Sequence, residues 1–183
     1  MGTRFAFTLA AVSSLLVMSG CAYMEDREDQ NYPVGARVPA EFINASGTPT
    51  GTALLTQTEH GVLIDVELRD LEPGWHAFHV HERGECDTPD FESAGGHYNP
   101  DDKEHGFEAR GGYHAGDFPN IMITDSGAAR FQVFSKHLSL NERDNPLFDS
   151  DGSALVVHSG QDNYRSQPSG NAGERVACAV IGR

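Results

Sequence analysis

The chain has 183 residues, with 13 basic and 27 acidic side chains and a formal net charge of −14 at neutral pH. This acidic balance excludes a conventional nucleic-acid-binding protein, because such a protein needs a basic face to neutralise phosphates. With 38% hydrophobic and 22% charged residues, the composition is that of a folded globular protein, and the length predicts one domain.

The amino terminus has the pattern of a secretory signal. Arg4 precedes an apolar run at residues 5–18, which is shorter than the roughly 20 residues of a membrane-spanning helix. Met-Ser-Gly-Cys at 18–21 resembles a bacterial lipobox, which predicts cleavage before Cys21 and its lipidation. The alternative is an ordinary signal peptide that is cleaved nearby and leaves Cys21 unmodified. We therefore expect an exported protein of the periplasm or cell envelope, attached to a membrane only through acyl chains.

Residues 21–36 form a predicted lipidated, acidic linker, with charged residues at 25–29 followed by Pro33 and Gly35. This stretch has no apolar periodicity, so its sequence gives no indication that it packs against the domain. The predicted organisation is therefore a signal peptide at 1–20, the linker, and one folded domain at 37–183.

Short runs of alternating apolar and polar residues, separated by turn residues, predict eight β-strands in the domain. Pro39 predicts that the first strand lies at an edge or contains a bulge, and the turn residues 125–127 predict a hairpin between the fifth and sixth strands. The fold class is all-β: an eight-stranded antiparallel sandwich or barrel. The predicted strands are at 38–44, 52–58, 62–70, 75–82, 121–124, 129–134, 154–158 and 175–181.

Two long segments, 83–119 and 159–174, lack strand character. Segments of this length without secondary structure in a compact domain are usually functional loops. We therefore expect the functional residues to lie on these two segments and on the strands beside them.

The three cysteines divide into one at the predicted lipid site and two in the domain, Cys86 and Cys178. An oxidising compartment favours a disulfide between the last two. Two free buried thiols remain the alternative.

The nine histidines carry the strongest chemical signal in the sequence. His79 and His81 lie two positions apart on a predicted strand, so both imidazoles face the same side and could share a metal ion. The alternative is that these two histidines are ordinary half-buried polar side chains on one face of a strand, which would give the same spacing.

A second group of residues that could bind a metal lies within a stretch of 21 positions in the first long segment, which is rich in glycine. Three imidazoles and a carboxylate form a closed, structural type of tetrahedral zinc site. The alternative is an irregular loop with solvated histidines. The residues of this group are His97, His105, His114 and Asp117.

Six motifs, in the same order along the chain, resemble the copper/zinc superoxide dismutase family over about residues 37–182. The resemblance implies an eight-stranded antiparallel Greek-key sandwich or barrel and the dismutation of superoxide to dioxygen and hydrogen peroxide, with one copper and one zinc per subunit. The motifs are FHVHE at 78–82, SAGGHYNP at 93–100, KEHG at 103–106, YHAGDFPN at 113–120, DGSALVVH at 151–158 and GNAGERVACAVIG at 170–182.

The resemblance also implies which residues bind each metal. The copper ligands would be His79, His81, His97 and His158, and the zinc ligands would be His97, His105, His114 and Asp117. His97 would therefore bridge the two ions and take part in catalysis. Imidazole is a suitable ligand for copper, and the neighbouring zinc would have no redox role.

Other roles follow from the same resemblance. Arg175 corresponds to the arginine that guides the anionic substrate, and Asp162 to the carboxylate that links a copper histidine to a zinc histidine. Cys86 and Cys178 coincide with the family's disulfide. A homodimer is compatible with the sequence, but nothing in the sequence locates an interface.

The sequence differs from the family pattern at a few positions. Ala77 occupies a position where the family usually has glycine, and the loop at 159–174 resembles the shorter bacterial form. Arg165 is a candidate cation for steering the substrate, or an ordinary surface arginine. His60, His76 and His137 match no ligand position, so we expect them in a turn, in the core and on the surface.

Two other functions use the same residues. A module that stores or delivers copper and zinc would have the same ligands but would not need Arg175 or Asp162. A zinc hydrolase needs an open coordination position, whereas the predicted zinc set already supplies four ligands.

Overall fold

The computed structural model describes residues 1–2, 32–141 and 145–182. Most of the predicted signal, Cys21 and most of the predicted linker therefore lie outside the described residues. In the described part of the chain, no helix is long and apolar enough to span a membrane.

The described residues form nine β-strands and one short 3-10 turn at Glu92–Ala94. Short strands of this kind follow from the alternation of inward apolar and outward polar residues between turns. The strands are β1 (Arg37–Asn44), β2 (Pro49–Thr58), β3 (Gly61–Leu68), β4 (Gly74–His76), β5 (Phe78–His81), β6 (Ile121–Ile123), β7 (Ala129–Ser135), β8 (Ser153–His158) and β9 (Arg175–Gly182).

The strands form two sheets. Seven strands pair in the order β5-β8-β9-β1-β2-β3-β7, and β4 pairs with β6. Every ladder between these strands is antiparallel. The order departs from the chain order, because long connections return the chain beside earlier strands, as in Greek-key folds. The all-β antiparallel prediction is confirmed.

The predicted fourth strand is divided in two at Ala77, so the described residues form nine strands where eight were predicted. The backbone N–H of Ala77 donates to the carbonyl of Gly160, and its carbonyl accepts from the N–H of His158. Before this point the chain pairs with β6, and after it with β8. The chain therefore changes sheets within the predicted strand at 75–82, which the alternation pattern alone does not show.

The turn predicted at 125–127 forms, with the N–H of Gly127 donating to the carbonyl of Thr124 at 2.8 Å. However, the two strands beside it do not pair as a hairpin. β6 pairs with β4, whereas β7 pairs with β3 along its whole length. The hairpin prediction was therefore wrong, because the longer β3 offers β7 a more extensive ladder than three-residue β6 could.

β1 is not an edge strand, because it lies between β9 and β2 in the large sheet, but the part of β1 around Pro39 has a free edge. β1 pairs with β9 only through Ile43 and Asn44, so near Pro39 only β2 lies beside the strand. Proline has no N–H to donate, and it is tolerated here because that side of the strand has no ladder.

The core lies between the curled faces of the large sheet. Its fully buried side chains include Phe42, Leu55, Ile64, Phe78 and Leu155. All six residues of β8 are buried, because a second apolar cluster covers the outer face of this strand. The second cluster consists of Phe91, Ala94, Ala154, Val156 and Cys178. It packs the first long loop against β8 and β9.

A disulfide fastens the same loop. Cys86 in the loop is bonded to Cys178 on β9, which confirms the predicted pairing and excludes the free-thiol alternative. Apolar packing and a covalent bond thus hold the first long loop against the strands that end near the histidines.

Candidate metal centre

The short strand β5 places His79 and His81 on one buried face. Its free edge is occupied by the first long loop: the N–H of Val80 donates to the carbonyl of Gly116, and the carbonyl of Val80 accepts from the N–H of Tyr98. These bonds place His97 beside His81 and Asp117 beside His79. The loop therefore extends the sheet by backbone pairing and carries its ligand-type residues to the strand.

A first set of four histidines converges at this edge. One ring nitrogen from each lies within 4.8 Å of those of the other three, and all four residues are buried. His158 joins because it ends β8, the strand that pairs with β5. The set consists of His79, His81, His97 and His158.

A second set meets the same distance criterion and shares His97 with the first. Oδ1 of Asp117 lies 2.9 Å from Nδ1 of His97, 3.1 Å from Nδ1 of His105 and 3.3 Å from Nδ1 of His114. The other carboxylate oxygen accepts the N–H groups of Gly106 and His114. Three imidazoles thus surround one oriented carboxylate oxygen.

Hydrogen bonds fix which nitrogen of each ring is available to a ligand. Nδ1 of His81 faces the carbonyl of Gly95 at 3.0 Å and must donate, so Nε2 of His81 keeps its lone pair. Nε2 of His79 faces a carboxylate oxygen of Asp162 at 3.0 Å, which leaves its Nδ1 free. Among the described residues, Nδ1 of His79 and Nε2 of His97 are buried without a hydrogen-bond partner.

Unpartnered buried nitrogen lone pairs are costly, and a metal cation would satisfy them. The first set offers four imidazole nitrogens, a donor set that suits copper, and the second offers three nitrogens and a carboxylate, which suits zinc. The residues therefore fit two metal ions that share the ring of His97.

Asp162 joins the two sets through a third cluster. Oδ2 of Asp162 accepts from Nε2 of His79, and Oδ1 accepts from Nε2 of His105, each at 3.0 Å. All three side chains are fully buried. Such outer carboxylates fix the tautomer and the ring orientation of metal-binding histidines.

The burial of the site changes the pKa values of its groups in the metal-free protein. Desolvation, reinforced by neighbouring histidines, lowers the pKa of His97 to about 4 and that of His158 to about 3. Burial also opposes protonation of His105, but hydrogen bonds to Asp117 and Asp162 raise its pKa to about 9. Burial would raise the pKa of Asp117, but hydrogen bonds from the three histidines hold it well below its usual range.

These shifts predict that the metal-free protein loses stability below about pH 6.5. His97 and His158 are neutral in the fold but take up protons when unfolded, at a pKa of about 6.5, so acid favours the unfolded chain. The slope is about 1.4 kcal/mol per proton and pH unit, and calorimetry should show Tm falling by about 5 to 10 °C from pH 6.5 to 5.5.

His105 acts in the opposite direction at higher pH. Its raised pKa stabilises the fold fully below about pH 6.5, and this contribution is lost as the pH rises through about 9. The metal-free protein should therefore be most stable near neutral pH. A Tm that stays constant between pH 5.5 and 6.5 would contradict the buried, neutral state of His97 and His158.

Arg175 begins β9 beside the first set and is half-buried. Its guanidinium donates to the carbonyls of Phe91 and Gly95. The carbonyl of Gly95 also accepts from His81, so one backbone group orients both the arginine and a histidine of the first set. Burial lowers the pKa of Arg175, and the nearby acids Glu92, Asp90 and Glu82 raise it.

Arg165, the other candidate for a steering cation, lies in an exposed ion pair. Its Nη2 is 2.6 Å from a carboxylate oxygen of Glu108. The local positive charge of Arg165 is therefore largely balanced, which favours its interpretation as a surface residue.

His76 was predicted to be a core residue, and it is buried, but it also has a contact that the sequence did not indicate. Its Nδ1 lies 2.7 Å from the carbonyl of His158, and its Nε2 lies 2.8 Å from the carbonyl of Glu72. Both partners accept only, and a neutral imidazole carries one N–H, so the ring donates either to the backbone of His158 or to the turn before β4. Nothing in a single sequence separates this histidine from one that only fills the core.

Gly170 must remain glycine for Asp162 to keep its place. It has a φ of +68°, and a Cβ there would collide with Oδ1 of Asp162 and lie 2.7 Å from Nε2 of His105. We expect Gly170→Ala to weaken zinc binding about 10- to 100-fold, as loss of an outer carboxylate contact does. Competition with a chromophoric chelator measures this change.

Gly47 provides the matched control. It has a similar φ of +75°, but nothing lies within 4 Å of its Cβ position. Gly47→Ala carries the same backbone strain without the collision, so its zinc affinity should stay at the wild-type value. Equal effects of the two substitutions would show that strain, and not displacement of Asp162, is responsible.

Residues 49–181 match the family described as copper/zinc superoxide dismutase. The chain belongs to the copper/zinc superoxide dismutase family. It is thus an enzyme of this type, with copper and zinc as the metals that the family implies. The family resemblance inferred from the six motifs is confirmed.

Relatives cover most of the chain. Superoxide dismutase (Cu-Zn) 1 of Aquifex aeolicus (strain VF5) is 49% identical over 144 residues, which are 78% of this chain and 85% of the relative. Superoxide dismutase (Cu-Zn) of Escherichia coli (strain K12) is 34% identical over 182 residues, covering 93% of this chain and 96% of the relative.

Solved structures share the fold. The Cu/Zn superoxide dismutase from Brucella abortus has a TM-score of 0.63 and 29% identity, over 79% of this chain and 99% of that chain. A superoxide dismutase-like protein from Bacillus subtilis has a TM-score of 0.75 and 36% identity, over 78% and 97%.

Proposed function

We propose that the two sets of residues bind the two metals of a superoxide dismutase. Copper is bound by His79, His81, His97 and His158, and zinc by His97, His105, His114 and Asp117. The observation that carries this proposal is the ring of His97, whose Nδ1 belongs to the second set while its buried Nε2 has no hydrogen-bond partner among the described residues. One ring can therefore serve both ions.

Copper held by His79, His81, His97 and His158 would supply the one-electron redox chemistry of the dismutation, in which two superoxide ions and two protons give dioxygen and hydrogen peroxide. Arg175 attracts and orients the anion with a permanent charge and fixed N–H donors. Nε2 of His97 is the atom that holds a proton between the two half-reactions. Asp117 and Asp162 keep the rings in the tautomers that this requires.

Metal analysis combined with superoxide consumption tests the proposal. Protein loaded with zinc alone should be folded and nearly inactive, and addition of one copper per chain should restore turnover. A storage module would bind both metals without turnover, and a zinc hydrolase would need no copper. Full turnover without copper would refute the copper assignment.

We also propose that the chain is exported and that a lipid on Cys21 anchors it to a membrane. The disulfide between Cys86 and Cys178 supports an oxidising compartment. Mass spectrometry of the mature protein should show an acylated amino-terminal Cys21, and Cys21→Ser should release the protein into the soluble fraction. An unmodified, soluble wild-type protein would contradict the anchor.

The homodimer compatible with the sequence is a further proposal, supported by an exposed apolar pair. Trp75 on β4 is 53% exposed and lies opposite Met122 on β6, which is 45% exposed. Sedimentation equilibrium should show a dimer that Trp75→Lys dissociates. Phe134→Lys, at an equally exposed position on β7, should leave it intact, and a monomeric wild-type protein would refute the dimer.

A further inference from the structure

Two amide side chains join the two long loops beside the metal centre. Oδ1 of Asn120 accepts the N–H of Asp162, and its Nδ2 donates to the carbonyl of the same residue, both at 2.8 Å. Oε1 of Gln167 accepts the N–H of His105 at 2.8 Å, and its Nε2 donates to the carbonyl of His105 at 3.0 Å. Each amide thus satisfies both backbone groups of one residue.

Asp162 and His105, the two residues whose backbone groups the amides bind, also contact each other. The side chains of Asp162 and His105 meet in the 3.0 Å hydrogen bond that links the metal sets. Asn120, just after the first loop, holds the backbone of Asp162 in the second, whereas Gln167 in the second loop holds the backbone of His105 in the first. A double hydrogen bond leaves little freedom to slide, so together the amides fix the register of the loops.

Tyr164 adds a further restraint on the same carboxylate. Its hydroxyl accepts the N–H of Asn120 at 2.8 Å, and its own N–H donates to Oδ1 of Asp162 at 2.6 Å. The carboxylate of Asp162 therefore has a fixed orientation between His79 and His105. Its position depends on Asn120 through the backbone and on Tyr164 through Oδ1.

We propose that Asn120 and Gln167 are positioning residues that determine how tightly the zinc set holds its metal. Neither residue belongs to a ligand set. Asn120 acts through Asp162, and Gln167 acts through the backbone of His105. This inference rests on the proposed zinc site and extends it to residues outside the ligand sets.

Near-isosteric variants test the proposal without creating large cavities. Asn120→Leu and Gln167→Met remove the hydrogen bonds but keep most of the volume. In copper-free protein, each should release zinc to a chromophoric chelator about tenfold faster than the wild type, the lower limit for outer-shell changes. Gln161→Met is the control: Gln161 is exposed, and its side chain makes no hydrogen bond among the described residues, so zinc release should not change.

A double-mutant cycle distinguishes positioning from a general loss of stability. If Asn120 acts through the carboxylate of Asp162, Asn120→Leu should accelerate zinc release little in an Asp162→Ala background. A merely structural effect would persist there undiminished and would overturn the role of Asn120. Thermal unfolding of the metal-free variants shows whether they fold. If Asn120→Leu does not fold, Gln167→Met, at an exposed position, still tests the proposal.

The outcomes separate this inference from the proposed function. Wild-type protein that binds no zinc would refute the zinc site itself. Wild-type protein that binds zinc, with Asn120→Leu and Gln167→Met releasing it at the wild-type rate, would refute only the positioning role. About tenfold faster release from both variants and unchanged release from Gln161→Met is the supporting result.

Discussion

Replacing Arg175 with glutamine should lower the rate constant for superoxide consumption by about tenfold or more. A unit charge about 6 Å from the substrate attracts the anion by about 2 to 3 kcal/mol at an effective dielectric constant of 20, and 1.4 kcal/mol is a factor of ten. Partial exposure of the guanidinium screens some of this energy. Pulse radiolysis of fully metallated protein measures the effect directly.

Three further variants separate the local charge from the net charge. Arg175→Lys should lose less than Arg175→Gln, because it keeps the charge but not both contacts to the carbonyls of Phe91 and Gly95. Arg165→Gln should change the rate little, because Glu108 already balances that guanidinium. Neutralising Glu41, an exposed acid on β1 that is not among the acids acting on Arg175, should also have a small effect, since salt screens exposed charges beyond about 8 to 10 Å. Equal losses for Arg175→Gln and Glu41→Gln would refute local steering.

The net charge makes this a demanding test. At −14, the chain should repel superoxide at long range, so any attraction must come from the neighbourhood of the site. Glu82, Asp90 and Glu92 lie near enough to affect Arg175 itself. Arg175 therefore acts within an acidic surrounding, and the overall field of the chain cannot replace its charge.

The sequence predicted the strand pattern well because each strand has one face in the core. β3 illustrates this: Val62, Ile64, Val66 and Leu68 are buried, and the residues between them are more exposed. The pattern failed at Ala77, where the predicted strand at 75–82 continues across a change of sheet. Periodicity records burial, and His76, Ala77 and Phe78 are all buried, so the burial pattern does not mark the change.

The ligand residues were predictable because their types and spacing are unusual for a loop. The contacts that hold these ligand residues in place were not predictable from the sequence. Asn120, Gln167 and His76 act through backbone groups that lie far away in the chain, and amides and histidines also occur in ordinary turns and cores. Likewise, the pairing of Arg165 with Glu108 depends on how the second loop folds over the first, which no local pattern encodes.

Single histidine substitutions should give a characteristic pattern of metal loss. His81→Ala should lose copper and keep zinc, and His114→Ala should lose zinc first, because each ring belongs to one set only. His97→Ala should weaken both sites and reduce activity by about 100-fold or more, since its two nitrogens belong to different sets. Elemental analysis after dialysis, with the rate of superoxide consumption, measures the pattern.

His137→Ala provides the control for loss of a histidine. Its ring contacts Tyr113 at a centroid distance of 5.7 Å and belongs to neither set, so both metals and the rate should stay at wild-type values. The combination of results matters more than any single loss, because unfolding would also release metal. If His97→Ala released only one metal while keeping the other at full affinity, the ring would not be shared. The two sets would then be independent sites, and a proton held at Nε2 of His97 could not couple them.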